Sequence, residues 1–138
     1  MNRALNTLRV VQWTMLSSIV LYAVVGQLYG PVPRAVDPGV SYIFSTIGVG
    51  LVGVIFVLRR TLVLRAAESL AANPNDNLSL NQWRTGYLAT YVCCEALALF
   101  GVVQRFMGCT LQQSALFYVG GFVLLLFFWP RQPAAPTR

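Results

Sequence analysis

Apolar residues dominate four long stretches of the chain, Val10 to Tyr29, Val40 to Leu58, Tyr87 to Met107 and Leu111 to Trp129. Each is about 19 to 21 residues long, and a helix rising 1.5 Å per residue needs ~20 to cross ~30 Å of hydrocarbon. The runs are apolar on all sides instead of alternating with a polar face, which is the pattern of helices surrounded by lipid or protein. They predict an all-α integral membrane protein with four transmembrane helices in a single domain, 1–138. The first connection, GPVPRAVDPGV from Gly30 to Val40, holds three prolines and two glycines and predicts irregular chain. The second, around Gly108 to Gln113, predicts a tight turn, so the helices are expected as two hairpins. Between them lies a loop over 59–84. Within it Leu62, Ala66 and Leu70 oppose Arg65, Glu68 and Ser69, the pattern of a short helix on the membrane surface. A simple continuation of the second span accounts for it equally well. NPNDNLSLN, Asn73 to Asn81, then breaks the helix.

Composition reinforces the membrane reading, since 57% of the 138 residues are hydrophobic and 10% charged, against ~25% charged in a typical soluble domain. Spans and connections use nearly the whole chain and leave no room for a soluble or nucleotide-binding domain. The formal charge is +6, but its placement argues against a nucleic-acid partner. Arg3, Arg9, Arg59, Arg60, Arg65, Arg84, Arg131 and Arg138 fall in the two tails and the central loop, leaving Arg34 and Arg105 near the other side. The positive-inside rule then puts both termini and the central loop in the cytoplasm. Trp13, Trp83 and Trp129 mark the same side as interfacial anchors. The first run exceeds the 7 to 15 residue core of a signal peptide and lacks a small-x-small site, so it is expected to be retained.

The two halves show a weak internal correspondence. A shift of 78 residues lays LYAVV, Leu21 to Val25, on LFGVV, Leu99 to Val103, with Ser17 falling on Glu95. A shift of 72 aligns Gly48 with Gly120, Phe56 with Phe128 and Arg59 with Arg131. A tandem duplication would make two hairpins of like orientation.

Glu95 is the one acidic residue inside a predicted span, about nine residues into the third. A carboxylate there costs at least ~2.5 kcal/mol on insertion scales and normally faces a partner, cavity or pathway. Arg84 and Arg105 are ten or eleven residues away, ~15 Å along the axis, too far to pair with it. The expectation is a neutral or hydrogen-bonded carboxyl partnered by Tyr91 one turn back, by Ser17, Ser18 or Thr14 on the first helix, or by Ser45 or Thr46 on the second. Beside it Gly86, Thr90, Cys94 and Ala98 form a ridge of small residues, with Gly101 nearby. Small residues let helices approach closely in lipid, and Gly48, Gly50 and Gly53 offer a matching surface on the second helix.

EALALFGVV, Glu95 to Val103, and GVGLVG, Gly48 to Gly53, resemble the carboxylate helix and the glycine-rich helix of the proteolipid c subunits of rotary ATPases. That resemblance implies that Glu95 is a reversible proton or sodium site within an oligomeric ring. Here the connection between the two helices is longer, and a further helix follows. The chain as a whole also resembles small four-helix bacterial membrane proteins with a Trp-Arg pair before the third span and a Pro-Arg pair after the fourth, here Trp83-Arg84 and Pro130-Arg131. That likeness implies a bacterial inner membrane but no particular activity.

Histidine is absent and the acidic residues are Asp37, Glu68, Asp76 and Glu95, too few for the usual catalytic constellations. Cys93 and Cys94 are adjacent and lack metal-ligand spacing, so no cofactor or metal is expected. The residues predict a non-enzymatic membrane protein whose partners are lipid and other transmembrane subunits, self or hetero. Proton or cation binding at Glu95 is the alternative.

Overall fold

Peptide groups away from water must bond to one another, and in an apolar chain this favours helices, whose hydrogen bonds are all local. A computed structural model of the chain describes residues 2–73 and 75–131, and all its regular elements are helical. They are α1 (Asn2–Tyr29), α2 (Pro38–Leu58), a π-helical segment (Arg59–Leu64), α3 (Arg65–Ala72), α4 (Asn77–Phe106) and α5 (Leu111–Phe127). The junctions of the π segment keep helical dihedrals, φ −57° ψ −43° at Leu58 and φ −61° ψ −44° at Arg65. Pro38–Ala72 is therefore one continuous rod, and the described residues form four rods. Three of them are long and apolar enough to cross a membrane. The fourth, α5, has 17 residues, ~25 Å of helix and near the lower limit of ~17 residues for a span.

The helix ends carry the chemistry that stops or starts them. Asp37 caps α2 by accepting from the Gly39 N–H at 2.8 Å, with Pro38 in the first turn, where its missing N–H costs nothing. At the end of α4 the Gly108 N–H bonds to the Arg105 carbonyl and the Cys109 N–H to that of Gln104. That pair of bonds needs a left-handed residue after the helix, and Gly108 supplies it at φ +98°. Thr110 and Gln113 then cap α5 reciprocally. The tight turn predicted at Gly108 to Gln113 is thus built from local signals.

The polar interval 59–84 is mostly helix. The second span runs on through residue 72, and α4 begins at Asn77, well before the predicted Tyr87. The physical reason is that both strips of this interval are amphipathic and face each other. Val63, Ala66 and Leu70 are buried, as are Ser79 and Trp83 on α4, and the π segment and α3 both pack on α4. Trp83 is 1% exposed with its ring 4.9 Å from that of Tyr87. It is a core residue and not the interfacial anchor expected. Trp13 and Trp129 do lie together near the surface, edge to face at 6.1 Å.

Helix α4 is the centre of the bundle, with α1, α2, α3, the π segment and α5 all seated on it, and α1 also packs on α5. Consecutive α1 and α2 share no extensive contact with one another. Trp13, Arg59, Tyr87, Phe128 and Trp129 gather at the terminal end of the bundle. Gly30, Arg34, Arg105 and Gly108 gather at the loop end. Two buried side chains serve the C-terminal carbonyls of α5, which have no partner within their own helix. The Gln12 amide donates to the Leu125 carbonyl at 2.6 Å and the Tyr91 hydroxyl to that of Phe128 at 3.4 Å.

Candidate functional site

The Glu95 carboxyl is positioned by α4 and answered by α1. Tyr22 donates its hydroxyl to Glu95 Oε1 at 2.8 Å, both residues being half-buried. On one side of Glu95 lie buried Tyr91, Cys94 and Ala98, and on the other the exposed Val92 and Leu99. The carboxyl therefore sits at the edge of the α1–α4 contact.

None of the partners expected from the sequence is used. The hydroxyl of Ser17 bonds to the carbonyl of Trp13 at 2.9 Å and that of Ser18 to Thr14 at 3.2 Å. Thr14 and Thr46 bond in the same way to residues one turn back. Short hydroxyl side chains in a helix satisfy themselves on the i−4 carbonyl and have no need of a neighbour. Tyr91 is fully buried and turned toward Phe128. A tyrosine hydroxyl stands too far from its own backbone for that local bond, so in an apolar helix it must find a partner elsewhere. That was the signal by which Tyr22, mid-way along the first apolar run, could have been paired with the lone carboxylate.

The small-residue ridge of α4 is consumed inside the chain. A Cβ at Gly86 would stand 2.8 Å from Val63 Cγ2 and 2.9 Å from Leu62 Cβ, and one at Gly101 would stand 2.9 Å from the Tyr118 ring. Thr90 is buried with its hydroxyl on the Gly86 carbonyl at 2.8 Å. Cys94 and Ala98 receive Gly121 of α5, whose added Cβ would lie 2.6 Å from the Cys94 carbonyl oxygen. The facing glycine is thus on α5, marked in the sequence by the Gly120-Gly121 pair within an apolar run. On α2 only Gly48 takes part in packing, against Phe117 and Leu97. Gly50 and Gly53 have nothing within 4 Å, so they do not form the surface expected to match α4.

At the loop end Arg105 is buried at 7% exposure and donates to the carbonyls of Pro31 at 2.7 Å and Cys109 at 3.3 Å. It fastens the first connection to the second and is spent on backbone, so it provides no counter-charge for Glu95. Among the described residues no three histidine, cysteine, aspartate or glutamate side chains converge as metal ligands. Cys93, Cys94 and Cys109 are free thiols. No family model, curated protein or solved structure matches the chain.

Proposed function

We propose that the chain is a non-enzymatic integral membrane subunit that assembles, with itself or with other transmembrane chains, through the outer face of α2. The termini then face the cytoplasm, a reading that the arginine distribution supports. The observation that carries this reading is the state of α2. It is the most hydrophobic of the rods, with 11% of its apolar window buried, and its small residues Gly50 and Gly53 meet nothing. Small residues at an open helix face allow close backbone approach, which is how helices associate where lipid removes the hydrophobic drive. The α4 ridge is already filled, so this surface replaces it.

The test is the mass of the detergent-solubilised particle. The parent chain should run as an oligomer or co-purify with a stoichiometric partner. Gly50→Ile with Gly53→Leu should disperse that assembly while leaving helix content unchanged. A parent that remains monomeric in several mild detergents, and that cannot be cross-linked in membranes, sinks the proposal.

The Tyr22–Glu95 pair favours a second reading, reversible protonation of Glu95 with Tyr22 as the hydrogen-bond donor to the charged form. Carbodiimide modifies a protonated intramembrane carboxyl, so labelling of Glu95 should fall as pH rises and fall further with a competing cation. Labelling independent of both, with Glu95→Gln fully functional, removes this alternative.

A further inference from the structure

At the terminal end of the bundle, the end of α2, the π segment and the end of α5 enclose a cleft of about 790 Å³. Arg59, Arg60 and Arg131 all line it, and no acidic residue does. Three positive charges without a carboxylate form an unneutralised site. Arg59 is held in place from below, its guanidinium carbon 4.2 Å above the Phe128 ring and 5.3 Å from that of Tyr87. Stacking engages the flat face of a guanidinium and leaves its N–H edges to bind an anion, with the planar fork that suits two phosphate oxygens.

Directly along the same pair of helices, toward the middle of the bundle, runs a second groove of about 360 Å³. Its walls include Val49 and Val52 of α2 and Phe117 and Leu124 of α5, and its surface is almost wholly apolar. On α2, Phe56 of the arginine cleft stands one turn beyond Val52 of this groove, on the same face of the helix. The site therefore asks for a ligand with an anionic head and a long apolar tail, entering between α2 and α5.

We propose that this is a binding site for one anionic phospholipid, its phosphodiester held by Arg59, Arg60 and Arg131 and an acyl chain laid along the α2–α5 groove. The Trp13–Trp129 pair at the same end matches headgroup depth, and basic pockets between helices on the cytoplasmic side commonly take such headgroups. The inference rests on the membrane placement but not on assembly through α2. Oligomeric state and lipid affinity are measured separately, so one can fail without the other.

The experiment is native mass spectrometry and thermal unfolding of the purified full chain in neutral detergent. Phosphatidylglycerol, cardiolipin, phosphatidylcholine and inorganic phosphate serve as the four probes. The two anionic lipids should bind and raise the unfolding temperature, while phosphatidylcholine and phosphate should not. Arg60→Gln with Arg131→Gln should weaken anionic-lipid binding by roughly ten-fold or more. Both residues are exposed, so this variant folds even if Arg59→Gln, which loses ring contacts, does not. Arg84→Gln removes an exposed charge from outside the cleft and should leave affinity unchanged. Equal binding of phosphatidylcholine, response to phosphate alone, or an Arg84→Gln loss as large as that of the double variant would each overturn the site. Extraction of the protein from membranes by alkaline carbonate would instead overturn the membrane placement.

Discussion

Replacing one glycine by alanine in two different helices separates close packing from helix propensity. At Gly121 the new Cβ would stand 2.6 Å from the Cys94 carbonyl oxygen, 3.2 Å from Ala98 Cβ and 3.3 Å from the Ala98 nitrogen. Carbon to carbonyl-oxygen contacts in proteins settle at about 3.3 to 3.6 Å, so α4 and α5 must part by ~0.7 Å or more. The obstruction is mostly backbone, which cannot swing aside as a side chain does. Overpacking of this kind costs about 1–3 kcal/mol. At Gly50 an added Cβ meets nothing within 4 Å in the chain, so within the fold the substitution contributes only the gain of alanine over glycine in a helix, about 0.5–1 kcal/mol. That gain is common to both sites, so the difference between the variants isolates packing and is expected at about 1–3 kcal/mol. Gly86→Ala should likewise be costly, because Leu62 Cβ at 2.9 Å and the Val63 nitrogen at 3.2 Å are fixed by backbone. The assay is reversible unfolding in mixed micelles on addition of a denaturing detergent, followed by circular dichroism. If Gly121→Ala and Gly50→Ala unfold at the same point, the α4–α5 contact is looser than its geometry states and the reasoning fails.

A double-mutant cycle of Tyr22→Phe and Glu95→Ala, which removes the acceptor, should give a coupling free energy of about 0.5–1.7 kcal/mol, the range for polar contacts between membrane helices. The same cycle with Ser17→Ala in place of Tyr22→Phe should give zero within error. Trp83→Ala should cost about 3–5 kcal/mol as a fully packed aromatic, whereas Trp13→Ala, 58% exposed, should change unfolding little. An equal response of the two tryptophans would restore Trp83 as an interfacial anchor. The carboxyl of Asp76 is held below its ordinary value, first by the Ser79 hydroxyl and then by the Leu78 N–H. Its folded value is thus lower than its unfolded one, so its stabilising effect is complete above the ordinary carboxyl range and is lost as pH falls through the folded value. Stability measured from about pH 6 down to about pH 2 should show that acid loss in the parent, and Asp76→Asn should flatten it.

The number and apolar character of the helical rods were legible in one dimension, because helix hydrogen bonds are local and hydropathy is a sum over neighbours in sequence. The turn at Gly108 was equally local and stands where the residues predict, whereas α2 starts at Pro38, inside the stretch expected to be irregular, because Asp37 caps it. Helical periodicity also identified Gly86, Thr90, Cys94, Ala98 and Gly101 as one packing ridge. Periodicity tells which residues share a face but not which helix lies opposite it. Only the tertiary structure set Gly121 of α5 against that ridge and left Gly50 and Gly53 bare. It also turned the polar interval 59–84 into two helical strips facing each other, since an amphipathic face is stable as helix only where a second apolar face meets it. Glu95 follows the same rule. Its lack of a charged neighbour was evident along the chain, but its bond to Tyr22 spans 73 positions and exists because folding laid α1 against α4.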